Sequence, residues 1–297
     1  MSADQDPPPF LTTKEVAALL RVKERKVYDL AAEGEIPCRR LTGKLLFPRL
    51  ELEAWLAGSA ASKAEPKTVR PNVVAGSHDP LLDWAIRESG SGLATFFDGS
   101  LDGLERVAMA EAVAAGLHVF EPARDDWNRN HVAGKLAGQD VVLVEWAKRQ
   151  RGFILQPALA GQVSSLADLS GRRLVQRQAM AGSALLLDHL LKQAGLTRED
   201  ITLLPALART ETEAAAAVAA GEADAALGLE AMARQFGLPF VPAIEERFDL
   251  IVDRRSWFEA PLQTLFAFSR TAAFAEKAKA LGGYDISALG AVQWNGA

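Results

Sequence analysis

The stretch that decides the fold is residues 11–56, which read LTTKEVAALLRVKERKVYDLAAEGEIPCRRLTGKLLFPRLELEAWL. Thr12 and Glu15 have the spacing of a capping box, in which a hydroxyl and a carboxylate satisfy free backbone amides at a helix start. The sequence therefore predicts a first helix from about Thr13, with an apolar stripe that includes Val16 and Leu20.

A second helix is predicted from about Lys23 to Glu33, after a short turn and before Gly34, whose tolerance of positive φ suits a helix end. Its inward positions are apolar and its outward positions are polar, as expected of a recognition helix in a DNA major groove. We predict that DNA is contacted by the outward side chains of the turn and helix: Arg21, Lys23, Arg25, Lys26 and Tyr28.

Two short extended runs, 38–41 and 45–47, are joined by Thr42-Gly43-Lys44 and predict a hairpin that forms a basic wing. Arg39, Arg40 and Lys44 of this wing are further candidates for DNA contact. A third helix is predicted over 49–56.

Residues 11–50 hold nine Lys and Arg against five Asp and Glu, a local charge of +4 in a chain of net charge -5. Such a reversal favours phosphate contact, although the same cations would also suit a merely solvated surface.

This ordered set of motifs resembles the excisionase-like, MerR-related winged helix-turn-helix family. The resemblance implies a DNA-binding domain over residues 11–57. Residues 1–9 show no cationic segment followed by an apolar run, so we expect no signal peptide or membrane anchor there, and residues 1–10 are predicted to be a disordered tail. Residues 58–71 shift to Gly, Ser, Ala, Lys and Pro, as in an interdomain linker. Cys38 is the only cysteine, which fits a reducing cytoplasm; we expect it to serve packing, with redox sensing as the alternative.

From residue 72 the pattern alternates short apolar strands with amphipathic helices, which predicts parallel α/β layers in two lobes. The predicted strands are 73–75, 93–97, 117–120, 141–144, 152–156, 173–176, 201–204, 223–227 and 239–241. The predicted helices start near Pro80 or span 101–115, 182–194 and 211–220.

Three strand-to-helix turns, 76–80, 98–103 and 177–183, combine small residues with Ser hydroxyls. Ligands of open α/β sheets bind beyond the carboxyl ends of strands, where helix N-termini attract anions. The turns therefore predict an anion or carboxylate cradle. The alternative is that Ser, Asp and Gly only cap these helices.

The motif order also resembles the periplasmic-binding-protein-like domain related to molybdate-binding proteins, found in cytoplasmic regulators behind a helix-turn-helix. The motifs are 76–83, 99–104, 115–118, 127–128, 177–178, 221–228, 246–250 and 282–285, and the resemblance covers nearly all of 72–297. It implies a type 2 binding-protein fold, with lobe 1 at about 72–155 and 248–297 and lobe 2 at about 160–244. The chain would cross between lobes near 153–160 and 244–251, with the ligand in the cleft.

The effector-binding candidates are the polar and small residues of these motifs: Ser77, His78, Asp79, Ser100, Asp102, Gly103, Trp127, Asn128, Arg177, Gln178, Gly182, Ser183 and Glu211. The chain departs from the family after Arg177-Gln178, where Ala-Met-Ala-Gly-Ser-Ala replaces the usual Pro-Gly-Ser-Gly-Thr-Arg. An Arg charge is missing there, so an organic ligand rivals molybdate or tungstate. We expect Arg177 to hold the ligand's negative end, or else to pair with a structural carboxylate such as Asp188.

Enzymatic motifs are missing from the sequence. Its four histidines show no metal-hydrolase spacing, and neither a nucleophile elbow nor a phosphate-binding Gly-Lys loop occurs. We therefore expect no catalytic residues, metal or cofactor. His118 is expected to be a structural histidine at a strand end, with a ligand role as the alternative. The predicted protein is a cytoplasmic one-component regulator, a homodimer or higher oligomer, that binds double-stranded DNA and a small effector. The alternative is an architectural or recombination-directionality factor whose large domain recruits a partner; an enzyme using the cleft is a distant third.

Overall fold

A computed structural model describes residues 9–41, 43–60 and 69–296, in two compact units divided between Thr68 and Val69. Most of the predicted tail and most of the predicted linker lie outside the described residues. Each unit has its own apolar core.

The N-terminal unit is a small helix-turn-helix with a hairpin. Its elements are β1 (Phe10–Thr12), α1 (Thr13–Leu20), α2 (Glu24–Ala32), β2 (Arg39–Leu41), β3 (Lys44–Pro48) and α3 (Arg49–Ala60). The predicted capping box forms, since Thr12 Oγ1 accepts a bond from the Glu15 amide and the Glu15 carboxylate accepts one from the Thr12 amide. Gly34 and Gly43 take positive φ values of 72° and 80° at the predicted turns.

Two features of this unit differ from the prediction. β1 pairs antiparallel with β3, Leu11 opposite Phe47, so the predicted two-stranded wing is part of a three-stranded sheet of order β1-β3-β2. Leu11 and Phe47 are both buried, which explains why the segment preceding α1 joins the sheet. The third helix also continues to Ala60, into the segment taken as linker.

The second unit is a mixed α/β structure. Its strands are β4 (Val73–Gly76), β5 (Ala94–Phe97), β6 (Ala114–Leu117), β7 (Phe120–Glu121), β8 (Asp126–Trp127), β9 (Val141–Leu155), β10 (Arg173–Arg177), β11 (Thr202–Ala208), β12 (Ala225–Leu229), β13 (Phe240–Asp253), β14 (Tyr284–Asp285) and β15 (Val292–Asn295). Its helices are α4 (Pro80–Ser89), α5 (Ser100–Ala108), α6 (Arg129–Lys135), α7 (Gly182–Gln193), α8 (Glu211–Ala219), α9 (Glu230–Phe236), α10 (Ala260–Phe268) and α11 (Ala272–Leu281).

The main sheet runs β11-β10-β12-β9-β13-β6-β4-β5. The strands β4, β5 and β6 are parallel to one another on one flank and belong to lobe 1, and β10, β11 and β12 are parallel on the other flank and belong to lobe 2. The antiparallel pair β9 and β13 lies between them and extends into both lobes. The sheet is therefore mixed: the predicted parallel α/β layers form on both flanks, and the antiparallel pair at the centre was not predicted.

The central pair also corrects the predicted strand boundaries. The two strands predicted at 141–144 and 152–156 are one 15-residue strand, and the short strand predicted at 239–241 is the start of the 14-residue β13. The sequence between the predicted strands, EWAKRQR at 145–151, is polar enough to resemble a loop. It stays in the sheet because its buried charges are paired with acids from other elements.

The helix predicted over 101–115 is wrong in its second half. α5 ends at Ala108, and Ala110 has a φ of +60°, which no helix continues through. Ala114 and Ala115 belong instead to β6, fully buried between β4 and β13. Alanine favours a helix, which explains the prediction. In the structure these alanines lie in β6 because α5 packs closely against this strand and leaves room only for small side chains.

Candidate functional site

The two lobes meet around a group of buried charges at the middle of β9 and β13. We call it the hinge cluster, and it consists of Asp79, Arg149, Arg151, Arg177, Glu211 and Glu246. Glu246 on β13 lies between the two β9 arginines: it pairs with Arg149, and Arg151 Nε donates to its Oε2 at 2.6 Å. Glu246 and Arg151 are fully buried, so each charge depends on the others for solvation.

Lobe 1 contributes Asp79 to the cluster. Its Oδ1 accepts from the Leu82 amide at 2.7 Å as the N-cap of α4, and its Oδ2 accepts from Arg149 Nη1 at 2.9 Å and from the Tyr284 hydroxyl at 2.6 Å. Burial, reinforced by the Asp79 charge, raises the pKa of Tyr284 well above its ordinary value. Asp79 is therefore held by three donors from three elements.

Lobe 2 contributes Glu211, the first residue of α8. Its carboxylate accepts from Arg151 Nη1 at 3.3 Å and Nη2 at 3.1 Å, and from Arg177 Nη1 at 3.0 Å. Burial alone raises the pKa of a carboxyl, but the Arg151 and Arg177 charges outweigh it and hold the pKa of Glu211 well below its ordinary range. Glu211 is thus an ionised carboxylate in a site of two guanidinium groups.

Two histidines border the hinge cluster. His118 Nδ1 lies 3.1 Å from Glu246 Oε2, and His78 Nδ1 accepts from the Glu211 backbone amide at 3.4 Å. Burial lowers the pKa of both imidazoles, although the neighbouring carboxylates oppose this. The acceptor role of His78 Nδ1 fits a neutral ring, and it joins lobe 1 to the start of α8.

The loops that face each other across the cleft are in contact. The Leu101 amide donates to the Met180 carbonyl at 3.1 Å, and Gln178 Nε2 lies 3.5 Å from Asp98 Oδ1. Gly99 has a φ of +113°, and a Cβ on it would lie 2.8 Å from the Met180 oxygen. A Cβ on Gly182 would overlap the His118 carbonyl oxygen. The cleft is closed in this structure, with backbone packed on backbone.

Most of the predicted effector residues come together at this closed cleft. Besides the acids and arginine already described, Ser77 Oγ lies 2.8 Å from Ser100 Oγ, which also accepts from the His118 amide at 3.1 Å. Gly182 and Ser183 begin α7 on the opposite side, and the Ser183 side chain is buried. The residues that the structure gathers are Ser77, His78, Asp79, Ser100, Arg177, Gln178, Gly182, Ser183 and Glu211.

Four predicted residues have other surroundings. Asp102 pairs with Arg106 one turn along α5 at 2.8 Å, and Gly103 packs against the Gly76 backbone. The Trp127 ring lies 5.0 Å from the Phe120 ring and packs in the lobe 2 core. Asn128 is saturated, because it accepts from the Val119 amide and donates to the Leu117 carbonyl and to Asp249.

Sequence reasoning missed Arg149, Arg151 and Glu246, which form the centre of the site. The available signal was the spacing of Arg149 and Arg151, because side chains two apart in a strand point to the same face. Arg177 forms a carboxylate pair, the second of its two expected roles, although with a different acid from Asp188; its contact with a ligand stays a prediction. Its ion-pair partner is Glu211, whereas Asp188 pairs with Arg198 at 2.6 Å.

In the N-terminal unit, all eight predicted DNA-contacting side chains are solvent-exposed: Arg21, Lys23, Arg25, Lys26, Tyr28, Arg39, Arg40 and Lys44. Arg39 is held by both carboxylate oxygens of Glu51, at 2.8 and 3.0 Å. Arg25, Lys26 and Arg40 have no ion-pair partner among the described residues. Cys38 is half-buried against the small core.

Within the described ranges, no group of three His, Cys, Asp or Glu side chains is arranged to hold a metal ion. Nor does any helix of the described residues reach the length and apolar character needed to cross a membrane.

Each of the two units matches the model of a known protein family. The model of the PBP superfamily domain matches residues 84–270, which is more than half of the chain. The chain belongs to the PBP superfamily. A helix-turn-helix domain model matches residues 10–60, so the PBP domain follows a helix-turn-helix domain. Both matches confirm the fusion and the fold class predicted from the sequence.

Among individual proteins, the uncharacterized protein YvgK of Bacillus subtilis (strain 168) is 24% identical over 299 residues, covering 95% of this chain and 96% of YvgK. The PBP domain is also similar in fold to a Clostridium perfringens substrate-binding protein crystallised with bound phosphate (11% identity, TM-score 0.50, covering 70% of this chain and 96% of that one). A further similar structure is the regulatory domain of MetR, a LysR family regulator of N. meningitidis (11% identity, TM-score 0.48, covering 72% and 97%).

Proposed function

We propose that this protein is a one-component transcriptional regulator. Its helix-turn-helix domain binds double-stranded DNA, and its PBP domain binds a small polar or anionic effector between its two lobes. The observation that carries the proposal is the joining, in one chain, of a helix-turn-helix domain with a domain of the PBP superfamily. Neither matched family is an enzyme family, and we assign the protein no catalytic activity.

The DNA-binding part of the proposal is supported by exposed and unpaired positive charge. Arg25 and Lys26 stand on the outer face of α2, and Arg40 stands on the wing. Cations without an internal partner are available to replace condensed counter-ions on the phosphate backbone, which is the main source of DNA affinity. Arg39 is different, since Glu51 already holds its guanidinium.

The test of DNA binding is the salt dependence of affinity for the protein's own upstream region. Replacing Arg25 and Lys26 by Ala should weaken binding and reduce the log-log salt slope by about 0.9 for each DNA phosphate that is no longer neutralised. Lys279→Ala, which removes an exposed charge from α11 of the PBP domain, is the matched control. A slope that is the same in all three proteins would refute phosphate contact by α2.

The stoichiometry follows from the size of the domain. One unit of about fifty residues buries little DNA surface, so we propose a homodimer on a two-fold operator, acting in the cytoplasm. Sedimentation of the protein on a saturating operator fragment should give two chains per site. One chain per site would contradict the dimer.

The effector part of the proposal rests on the buried guanidinium groups at the cleft. The side chains of Arg151 and Arg177 are shielded from water and carry several N–H donors, which now bind carboxylates, and bonds from such donors to an anion are strong. Molybdate, tungstate and a panel of organic acids should be titrated calorimetrically into the full chain. A ligand at a hundredfold excess over its dissociation constant raises the stability of the PBP domain by about 2.7 kcal/mol. Stabilisation by a ligand that leaves operator affinity unchanged would contradict a regulatory role.

A further inference from the structure

The charges of the hinge cluster balance one another. Three guanidinium groups, from Arg149, Arg151 and Arg177, face three carboxylates, from Asp79, Glu211 and Glu246. All six side chains are at least nine-tenths buried. An added anion would leave an uncompensated negative charge away from water, which is strongly unfavourable. An anionic ligand therefore needs one of the three carboxylates to leave.

We propose that Glu211 is a tethered anion that occupies the ligand position, and that a carboxylate or oxyanion effector binds Arg151 and Arg177 by displacing it. This inference rests on the proposed function, because it assumes that the cleft is the effector site. It goes further in naming the two arginines, the anionic class of the ligand and the internal competitor.

Glu211 is the carboxylate whose release frees it from the fewest partner residues, two against three each for Asp79 and Glu246. Asp79 also caps α4 and accepts from Tyr284, and Glu246 is fixed within β13 between two arginines and His118. The Glu211 carboxylate, by contrast, accepts hydrogen bonds only from Arg151 and Arg177 among the described residues. It belongs to the first turn of α8, and the preceding Arg209 is exposed. Its departure leaves the strands and the α4 cap intact.

Two unpaired polar atoms, one on Arg177 and one on a residue of the same cavity, point to a ligand with more acceptor oxygens than one carboxylate supplies. Arg177 Nε and Ser183 Oγ are buried and have no hydrogen-bond partner among the described residues. Both residues line one small cavity of lobe 2, whose other walls include Val175 and Leu187. Buried polar atoms are nearly always paired, so two unpaired donors on the same cavity point to an absent acceptor. An oxyanion held by Arg177 Nη1 in place of Glu211 would bring additional oxygens to this side.

Displacement also connects the ligand to the cleft. The Glu211 backbone amide donates to His78 of lobe 1, so the start of α8 is tied to both the arginines and the opposite lobe. When an anion replaces the carboxylate, the first turn of α8 loses its buried anchor, and the tie to His78 weakens with it. The Glu211 carboxylate thus competes with the effector and lowers the effector's affinity. It also couples effector binding to rearrangement of the first turn of α8.

The experiment compares the full-length wild type with Glu211→Ala. Sodium acetate, sulfate and molybdate are titrated calorimetrically and by thermal unfolding, at ionic strength matched with sodium chloride. If Glu211 is the internal competitor, the variant binds at least one of these anions saturably and at least tenfold more tightly than the wild type. The double variant Glu211→Ala, Arg177→Gln should lose that gain.

Glu213→Ala is the matched control, because it removes an exposed carboxylate from the same helix turn without uncovering Arg151. Equal anion affinity in folded Glu211→Ala and wild type, or an equal gain in Glu213→Ala, would overturn the proposal. Glu211→Gln, which keeps the side-chain shape, serves if the Ala variant does not fold. A wild-type measurement is independent of both: saturating anion should accelerate amide exchange at 209–213 and slow it at 177–183, and unchanged exchange in both segments would also overturn the proposal.

The outcome is separable from that of the proposed function. Regulation by an uncharged ligand that binds wild type and Glu211→Ala equally would refute the internal anion and leave the regulator intact. Anion binding by the variant with no change in operator affinity would support the anion site and contradict the regulatory role.

Discussion

Replacing Arg151 by Met removes the charge that pairs with both Glu246 of β13 and Glu211 of lobe 2. The Arg151 guanidinium makes four hydrogen bonds, two to Glu246 at 2.6 and 2.9 Å and two to Glu211 at 3.1 and 3.3 Å. Methionine fills much of the same volume but supplies none of these donors. The two buried carboxylates then keep one guanidinium each, Arg149 for Glu246 and Arg177 for Glu211, and Glu246 also keeps its contact with His118.

Breaking a buried ion pair by removing one partner costs about 3–5 kcal/mol, because the remaining charge stays desolvated. We expect a loss of this size for Arg151→Met. The exposed pair Arg198–Asp188 is the internal comparison, with side chains 52% and 44% exposed. Exposed pairs contribute about 0–1 kcal/mol, so Arg198→Met should be nearly neutral.

The assay is urea unfolding of the full chain followed by tryptophan fluorescence. Trp146, which is buried in the PBP domain core, reports that domain's transition. The midpoint should fall strongly for Arg151→Met and hardly for Arg198→Met, with similar m-values. A loss below about 1 kcal/mol for Arg151→Met, or the same loss for both variants, would refute the claim that the hinge cluster depends on mutual charge compensation.

Other substitutions test separate parts of the structure. Burial raises the pKa of Asp249 to about 7, above its ordinary value, although Arg247 and Asn128 lower it. A raised carboxyl pKa stabilises the fold at low pH, so the contribution of Asp249 to stability should fall by up to about 4 kcal/mol between pH 4 and 7. Chemical denaturation of the wild type and Asp249→Asn at both pH values should show this difference, and the same pH dependence in both proteins would contradict it. Gly182→Ala should separate the cleft loops, because the added Cβ would overlap the His118 carbonyl oxygen. Amide exchange at 177–183 should become faster, and unchanged exchange would contradict the tight contact. Arg40→Ala should weaken operator binding more than Arg39→Ala, because Glu51 already holds Arg39; fluorescence anisotropy giving the reverse order would contradict this.

The sequence predicted the helix-turn-helix well because its signals are local. A capping box depends on Thr12 and Glu15 three residues apart, and Gly34 ends a helix through its own backbone. The missed strand β1 depends on pairing with Phe47, more than thirty residues away. No local pattern of three residues carries that information.

The candidate site was predicted at its loops and missed at its centre for the same reason. Ser77, Ser100 and Ser183 follow strand ends, which hydrophobic periodicity locates. Arg149 and Arg151 sit inside a strand, where a charge is stable only when acids from distant segments surround it. A run of polar residues is therefore equally consistent, on sequence alone, with an exposed loop and with a buried ion-pair network.

The continuous strands β9 and β13 determine how the two lobes of the PBP domain can move. Both strands pass from one lobe to the other without a loop. The lobes can therefore separate only if the hydrogen-bonded pair of strands twists or bends. The pairing shifts register twice, between Pro242 and Ile244 and between Phe248 and Asp249. These two irregularities bracket Glu246, so the ribbon is most compliant on either side of the buried charge. A change in the ion pairs at Glu246 would therefore change the twist between β9 and β13, and with it the angle between the two lobes.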